Sequence, residues 1–584
     1  MLAAVMAYKR RETWQNIKIF FGADTHPLNL AIFRITAFII LLSSIYEQDI
    51  IFYCKLPIEF RVAPTGLAAL LSYLPINETW IRTSLLLLSI CCATGILGLF
   101  SRLSAFFSAV LGCYILGITQ CYGKVVHFHH VVWFPMILAA SRCGDAFSCD
   151  AIIASWKRAD RGIMNAPENS IAYALPIRFT WILIGICYFF PGFWKFWNVG
   201  IRWGVNLQYI LYAKWFALGD WTPLFRIDHY PTLLKYSGSA AMIFEISFLF
   251  LIFFDKIRPL AVIGGLIFHN TTNLFMKILF WQLQAAYVCF VDWKIVFERL
   301  GLWLYRDKMR VLYDGNCRIC RRAMATLKVF DIFCRIDYVN AMDGQDLRKH
   351  GLDRMDPAAL MKDMYTVKND KHWAGFYSYR ALASRIPFLW PVLPFLYLWP
   401  VPMLGKSIYR RIADSRTCDL TGGSKAGVRP DRQGLPLRRR AIIVVGSFLV
   451  IINALFGAFR LRDGWPFACY STFDRVPGDR KKFFVLSVLD IEGRTIPLKA
   501  PPISFVSEGF LSLKWQTWLA KILSNPQETA RRKQTRSFID LLAGQDAALQ
   551  RAAMVRIEEV ACSVIPERQK ENPIYRKLKW ESKI

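Results

Sequence analysis

Cys317 and Cys320 stand in a Cys-x-x-Cys spacing within Asp314-Gly315-Asn316-Cys317-Arg318-Ile319-Cys320. Met309–Asp314 before them reads as a short strand, and Cys320 to about Val329 reads as a helix. A motif joining strand to helix puts Cys317 at a helix N-terminus, where free N–H groups and the helix dipole stabilise a thiolate. Arg318, Arg321 and Arg322 add positive charge nearby. A lowered thiol pKa makes Cys317 the attacking sulfur and Cys320 the one that resolves a mixed disulfide. Gly315 allows the sharp turn, and Asp314 opens the motif. Two other readings stay open. The pair is half of a zinc site completed by Cys334, Cys418, His350 or His372, although no second close pair exists, or it has no redox role.

A second set of reactive groups lies inside apolar runs: His127, His129 and His130, then Lys195, Glu245, and His269 with Asn270. Ionisable groups in a membrane span are costly, and they mark function or a paired interior. His127 and His130 are three apart and share a helical face. Lys195, between Trp194 and Trp197, reads either as an anchor reaching the headgroups or as an interior group. Gly192, three residues earlier, leaves room beside it for a planar ligand. Glu245 is either functional or a buried partner for Lys or His. Each histidine is also a candidate hydrogen-bond partner between helices. The three clustered histidines lack a repeated metal-ligand spacing.

The elements that must position these groups follow from composition. The chain has 584 residues, 54% of them hydrophobic, with 73 Lys+Arg against 43 Asp+Glu and a net charge of +30. That excludes a disordered, collagen-like or coiled-coil chain. Apolar and basic together suggest spans joined by basic cytoplasmic loops. No Lys/Arg-rich arm with interleaved aromatics stands apart, so nucleic acid is not the expected partner. The 15 cysteines do not form a disulfide framework, since Cys91, Cys92, Cys113, Cys187 and Cys289 lie in apolar runs. No removable signal peptide is expected after the basic N-terminus.

Eight apolar segments before residue 300 are read as spans: 28–46, 81–100, 103–120, 126–141, 171–196, 234–254, 258–276 and 279–296. Residues 65–74 are too short to span and are placed at the interface or as a re-entrant segment. The basic loops at 142–170, 255–258 and after 299 then fall on the cytoplasmic side with the N-terminus. The expected organisation is a cytoplasmic segment at 1–23, a membrane domain at 24–300, an α/β domain at 307–420, a linker at 421–440, a ninth span at 441–459 and an extracytoplasmic mixed domain at 460–584. In the α/β domain a hairpin is expected at 364–374, with helices at 376–386 and 403–413. In the last domain, strands are expected at 483–488 and 494–498, with helices at 510–523 and 530–560.

Residues 309–416 resemble the DCC family of thiol-disulfide oxidoreductases, named for its Asp-x-x-Cys-x-x-Cys signature. The resemblance extends through Ala374-Gly375-Phe376, Leu389-Trp390-Pro391 and Tyr409-Arg410-Arg411-Ile412-Ala413. It implies a thioredoxin-like fold. Residues 24–296 resemble the horizontally transferred transmembrane family, which includes the membrane part of vitamin K-dependent γ-glutamyl carboxylase. The residues that carry this are Pro27 through Ile35, His127 through Asp150, Tyr188 through Lys195, and Phe268-His269-Asn270. The short segment Trp465 to Tyr470 resembles a C-terminal feature of the same family. This resemblance implies that Lys195 stands where that enzyme has the base activating vitamin K hydroquinone. Its functional histidine falls on His127, or on His130 with a gap. Pro191 replaces the family's usual alanine, and no glutamyl-peptide region is evident. A fusion of these two families implies a bacterial protein in the inner membrane.

The reading that unites these features is a polytopic α-helical membrane protein with a thioredoxin-like α/β domain. It exchanges thiols through Cys317, Cys320 and Asp314. A quinone or other lipophilic cofactor is expected beside Lys195, His127, His130, His269 and Glu245, and no metal is expected. The bilayer and a protein thiol or disulfide are the expected partners. The alternatives are a non-enzymatic membrane scaffold or maturation partner, and a carboxylase-type enzyme.

Overall fold

The computed structural model describes residues 15–583, except 49, 57, 59–60, 62–65, 123–128, 220, 353–362, 370, 416–433, 462–463, 468–472, 476, 499–512 and 544–546. His127, Cys418 and Cys469 lie outside the described residues.

The N-terminal half is a helical bundle. Its main elements are α1 (Pro27–Glu47), α2 (Glu78–Leu97), α3 (Ser101–Gly117), α4 (His129–Ala140), α5 (Cys149–Asp160), α6 (Ile171–Val199), α7 (Pro231–Leu251), α8 (Arg258–Met276) and α9 (Trp293–Leu304). Their ends follow local chemistry. The Asn77 side chain accepts from the Trp80 N–H at 2.9 Å to start α2. Gly98, at φ +69°, ends it in the left-handed conformation that glycine adopts without a Cβ penalty. Ser148 caps α5 by accepting from the Ala151 N–H. Asp150 accepts from the Phe100 and Ser101 N–H groups and so ties the α2–α3 turn to α5.

Among the described residues, six helices are long and apolar enough to cross a membrane: α1, α2, Ser101–Tyr122, Ile171–Ala217, α7 and Arg439–Ala458. Three of the nine expected spans, 126–141, 258–276 and 279–296, are not among these six. Segment 126–141 yields α4, with 12 residues. α8 is a continuous helix of 19 residues, but His269-Asn270-Thr271-Thr272-Asn273 dilutes its apolar content. Segment 279–296 is broken into a five-residue helix, a 3₁₀ turn at Ala286–Phe290, an extended Val291 and then α9, which Asp292 caps. Residues 66–73 form a 3₁₀ helix, too short to span.

The α/β domain runs β1 (Met309–Tyr313), α10 (Arg318–Phe330), β2 (Ile336–Asn340), β3 (Tyr365–Lys368), β4 (Lys371–Ala374), α11 (Phe376–Ala383) and α12 (Val401–Asp414). The sheet order is β2-β1-β3-β4. β1 and β2 are parallel, as a crossover through α10 requires, and β3 and β4 form an antiparallel hairpin. β2 had no expectation in the sequence. α13 (Gly434–Ala458) begins inside the stretch expected as linker.

The C-terminal region has strands β5 (Arg480–Leu489) and β6 (Thr495–Ile496), helices α14 (Leu513–Ser524) and α15 (Glu528–Ala543), and strands β7 (Met554–Ser563) and β8 (Tyr575–Lys583). Its antiparallel sheet has the order β6-β5-β7-β8. The helix expected over 530–560 is corrected here. α15 stops at Ala543, and β7 lies in the sheet interior, paired along its length with β5. Val555, Ile557 and Val560 turn inward and are buried there, which is what β-branched residues favour on a pleated surface.

The two α/β regions sit at opposite ends of the bundle. α6 starts beside Ser170, which pairs with Thr25 near α5 and the first domain. It ends near the second, where the Asn198 and Trp203 side chains donate to the Asp474 and Phe473 carbonyls. At 29 residues, α6 is about 43 Å long, which exceeds a hydrocarbon core of about 30 Å. Beyond α13, Trp465 turns back into the bundle, donating to the Cys113 carbonyl at 2.8 Å.

Candidate functional site

The redox motif is built on the β1–α10 turn. Asp314 Oδ1 accepts from the Asn316 N–H at 2.8 Å and the Cys317 N–H at 3.3 Å, folding the loop over a side-chain acceptor. The Gly315 N–H donates to Asn340 Oδ1 at 3.1 Å, and a Cβ at Gly315 would collide with that side chain. Cys317 is the N-cap residue of α10, where the first helical N–H groups are unsatisfied within the helix. The hydrogen bond from Cys320 is the main reason its thiol pKa is lowered to about 6, and the Cys320 and Ile319 N–H groups assist; burial and Asp314 oppose. The expected contribution of the arginines is redirected. Arg318 and Arg322 both bind the Asp160 carboxylate at 2.6–3.0 Å. Arg321 donates to the carbonyls of Ala159 and Gly315. These cations hold α10 against α5 rather than facing the sulfur.

That contact joins the redox domain to the bundle. Trp156 donates to Thr326 at 2.7 Å, and Lys328 to the Met164 carbonyl at 3.1 Å. Cys317 is 1% exposed and Cys320 7%, within a cluster against which Met164 also packs. The loop carrying this surface is fixed from inside. Arg34, fully buried in α1, donates to the carbonyls of Cys143 at 2.8 Å and Phe147 at 2.7 Å.

The ionisable groups of the spans converge at the other end of the bundle. A cavity of about 420 Å³ is lined by His130, Lys195, Glu245 and His269, with a mostly aromatic and aliphatic wall including Tyr188, Trp203, Phe244 and Phe268. Lys195 does not reach for the headgroups. It is buried, and both Glu245 carboxylate oxygens accept from Nζ at 2.7 Å. Nζ also lies 4.7 Å from the centre of the Trp203 ring, a cation–π arrangement. Gly192 does not provide space for a ligand. A Cβ there would lie 2.7 Å from Glu245 Cβ and 2.9 Å from Ile246, so its role is to let α6 and α7 approach closely. Tyr188 hydroxyl bonds both His269 Nε2 and the Tyr287 hydroxyl. His269 Nδ1 is buried without a hydrogen-bond partner among the described residues. His129 faces away from this group and packs on Trp465, 4.9 Å between ring centres.

Tyr188, Tyr287 and Trp203 join the site without being evident as site residues in the sequence. The available signal was weak: a tyrosine inside an apolar span must find a partner for its hydroxyl.

Among the described residues, Asp228, His229 and Glu567 are the one group whose His, Cys or carboxylate ligand atoms gather as a metal would need. Arg226 binds both carboxylates, at 2.6 and 2.7 Å, so the group reads as an ion-pair stitch between bundle and C-terminal domain. Cys334, His350 and His372 do not gather with Cys317 and Cys320 in this way.

Residues 311–418 match the family model described as DCC1-like thiol-disulfide oxidoreductase. No curated protein and no solved structure matches the chain. The match covers the α/β domain that carries the motif, and that domain is joined to a region of long apolar helices compatible with a membrane protein.

Proposed function

We propose that the protein is a membrane-bound thiol-disulfide oxidoreductase of thioredoxin-like fold. The observation that carries this is Cys317 at the N-cap of α10, its thiol pKa lowered by Cys320 and the helix N–H groups. The thiolate of Cys317 attacks a disulfide of a protein partner, forming one S–S bond and releasing one partner thiolate. The Cys320 sulfur then gives up its proton and attacks Cys317 Sγ. The second partner thiolate leaves, and two electrons have passed to the partner as the Cys317–Cys320 disulfide forms. Asp314 positions the loop. The order β2-β1-β3-β4 supports the thioredoxin-like reading. A pure scaffold has no need of this electrostatic arrangement. The test is trapping: Cys320→Ser should accumulate a mixed disulfide with a thiol-reactive peptide, and Cys317→Ser should give none.

The membrane part is read as a domain like the horizontally transferred transmembrane family, spanning the inner membrane of a bacterium. The N-terminus and residues 300–440 would be cytoplasmic and residues 460–584 extracytoplasmic. The placement of the two α/β regions at opposite ends supports that sidedness. Its cavity suits a quinone-like ligand. The wall is apolar, and His269, whose buried Nδ1 has no hydrogen-bond partner among the described residues, is one of its lining residues. When bound, a quinone supplies two-electron, two-proton redox chemistry. His269 and His130 would orient its oxygens, Tyr188 would relay a proton to or from His269 Nε2, and the Lys195–Glu245 pair would hold one proton between Nζ and carboxylate. Lys195 lies 25 residues beyond Ser170 on the α6 side, about 37 Å along the helix. With Lys195 that far along α6 from the end of the bundle that the redox domain contacts, coupling of the two sites would use a mobile carrier. Lipid extracted from the purified protein should contain a quinone. Its reduction by wild type and Cys317→Ser would decide whether the two sites are coupled. A carboxylase-type reaction, by contrast, would move labelled carbonate into a peptide.

A further inference from the structure

Most exposed apolar side chains of a membrane bundle face lipid, but the redox domain has a set of its own. Residues 387–412 present Phe395, Leu398, Trp399, Met403, Leu404 and Ile408 to the outside, Trp399 being 84% exposed and Met403 61%. A soluble domain rarely shows so much contiguous apolar surface without a partner. α12 explains how they come to share a side. Its inner face packs through Gly405 on Phe376 and through Tyr409 on Gly375, with Tyr409 hydroxyl accepting from the Met364 N–H at 3.0 Å. Leu404, Ile408 and Ile412, four residues apart, form a separate stripe that nothing in the described structure covers.

Two further observations identify the occupant. The first is charge. Residues 371–413 contain no Asp or Glu, and α12 carries Lys406, Arg410 and Arg411, with a single carboxylate, Asp414, at its end. Aromatic and aliphatic side chains combined with an excess of cations are what an anionic lipid surface selects. The second is continuity. Phe388 stacks on Phe330 at 4.5 Å between ring centres, and both meet Phe147 edge-on at 5.9 and 5.5 Å. Phe147 belongs to the loop that Arg34 holds at the end of the spans, beside the Gly98 turn, where the Asp150 N–H donates to the Gly98 carbonyl at 2.9 Å. The patch thus begins where the bundle meets the headgroups. The chain returns to the bundle soon after α12, through α13 with Arg439 and Arg440 near its start.

We propose that residues 387–412 form an interfacial anchor that lies in the anionic leaflet on the redox-domain side and holds the Cys317 motif beside the bilayer surface. This goes beyond the thiol chemistry and does not depend on it. The lipid side is the occupant, with Trp399, Met403, Leu404 and Ile408 entering the headgroup–acyl boundary and Lys406 and Arg411 meeting lipid phosphates. Arg410 is already engaged by Asp363 at 3.1 Å.

The test uses the full chain in nanodiscs of phosphatidylcholine with phosphatidylglycerol, with a photo-crosslinking amino acid placed at Trp399, at Met403 or, as a control, at Arg348. Lipid adducts measured by mass spectrometry should exceed the control by about fivefold at both anchor positions. K406E/R411E should lower the yield about fivefold with phosphatidylglycerol present and leave it unchanged in pure phosphatidylcholine. A protein–protein adduct at Trp399 would mean that a second copy covers the patch, and lipid adducts no greater than at Arg348 would mean that lipid does not; either result overturns the anchor. A charge-reversed variant with undiminished yield in phosphatidylglycerol overturns the anionic component.

Discussion

Cys317 and Lys195 are equally hidden, at 1% and 4% exposed, yet each is stabilised by a different kind of neighbour. Around Cys317 the partners are dipoles: the Cys320 thiol and the N–H groups that open α10. Around Lys195 the partner is a full countercharge, Glu245, holding it through both oxygens. Dipoles lower a pKa and still let the proton come and go with pH. A countercharge in an apolar wall holds the group in place, because removing either member leaves a charge without water or partner. The first arrangement suits a nucleophile that must cycle, and the second suits a positioned group. The arginines sharpen the contrast. Arg318 and Arg322 lie beside the cysteines in sequence but spend their charge on Asp160, so the Cys317 sulfur owes its state first to the Cys320 thiol and then to the N–H groups that open α10.

The largest expected effect separates the two regions completely. Cys317→Ser should abolish mixed-disulfide formation while leaving the Lys195–Glu245 cavity and its ligand content unchanged. Non-reducing electrophoresis and lipid extraction on the same preparation measure both. Loss of the bound lipid in Cys317→Ser would mean that the two regions are not independent.

Next in size is the buried pair. Glu245→Ala leaves the Lys195 ammonium unpaired in an apolar wall and should cost about 3–5 kcal/mol of stability. Lys195→Met combined with Glu245→Leu should recover most of that, since replacing both charges by apolar groups of similar volume is close to neutral. Thermal unfolding in detergent reads both. Lys195→Arg keeps the charge and can keep the pairing. If it retains stability but loses hydroquinone oxidation, the amine has a role beyond holding Glu245.

Gly192→Ala comes third. The added methyl meets Glu245 Cβ and the Ile246 backbone at 2.7–2.9 Å, and overpacking of this kind costs about 1–3 kcal/mol. A lowered unfolding temperature with unchanged Cys317 reactivity is expected. An unchanged unfolding temperature would show that α6 and α7 have slack at this point.

The two regions also differ in how far their sequence could be read. The redox site is written within seven consecutive residues, Asp314 to Cys320, between a strand and a helix whose patterns are local. The cavity draws on residues fifty and more apart, such as Lys195 with Glu245 and Tyr188 with Tyr287. The cost of an ionisable group in a span marks Lys195, Glu245 and His269 as needing partners but does not say which. Tyr188 carries no such mark, because a tyrosine is unremarkable in an apolar helix until its hydroxyl is placed. Gly192 reads in the sequence as room for a planar ligand, but the space is taken by α7. β7 falls in a polar, Ala-rich stretch whose local pattern is helix-compatible. Its pairing with β5 is a non-local contact that outweighs local propensity. The segment 279–296 has the hydropathy of a span, but Phe280 and Val291 adopt conformations that interrupt a helix.

The smallest effect is the most discriminating for Cys317. A thiol with a pKa of about 6 is almost fully ionised at pH 8 and about half ionised at pH 6, so its alkylation rate should fall only about twofold across that interval. A free thiol near pKa 8.5 loses roughly seventyfold over the same two units. The sign follows for stability as well. The folded-state pKa is depressed, so the stabilising contribution is fully present above the unfolded-state pKa and is lost as pH falls through about 6. Reduced protein should therefore lose stability relative to Cys317→Ser between pH 8 and pH 5. The measurement is iodoacetamide labelling of Cys317 in the intact protein, read by mass spectrometry of the peptide carrying it, at pH 6, 7 and 8. Since Cys317 is buried, the absolute rate will be low at every pH, and the ratio between pH values is the quantity that reports ionisation. Cys320→Ala removes the main donor to the sulfur while keeping the N–H groups, so its profile should shift toward that of a free thiol. If it does not shift, the helix terminus alone sets the ionisation. If the wild-type rate falls steeply between pH 8 and pH 6, the sulfur is not activated, and the contrast with the buried ion pair disappears.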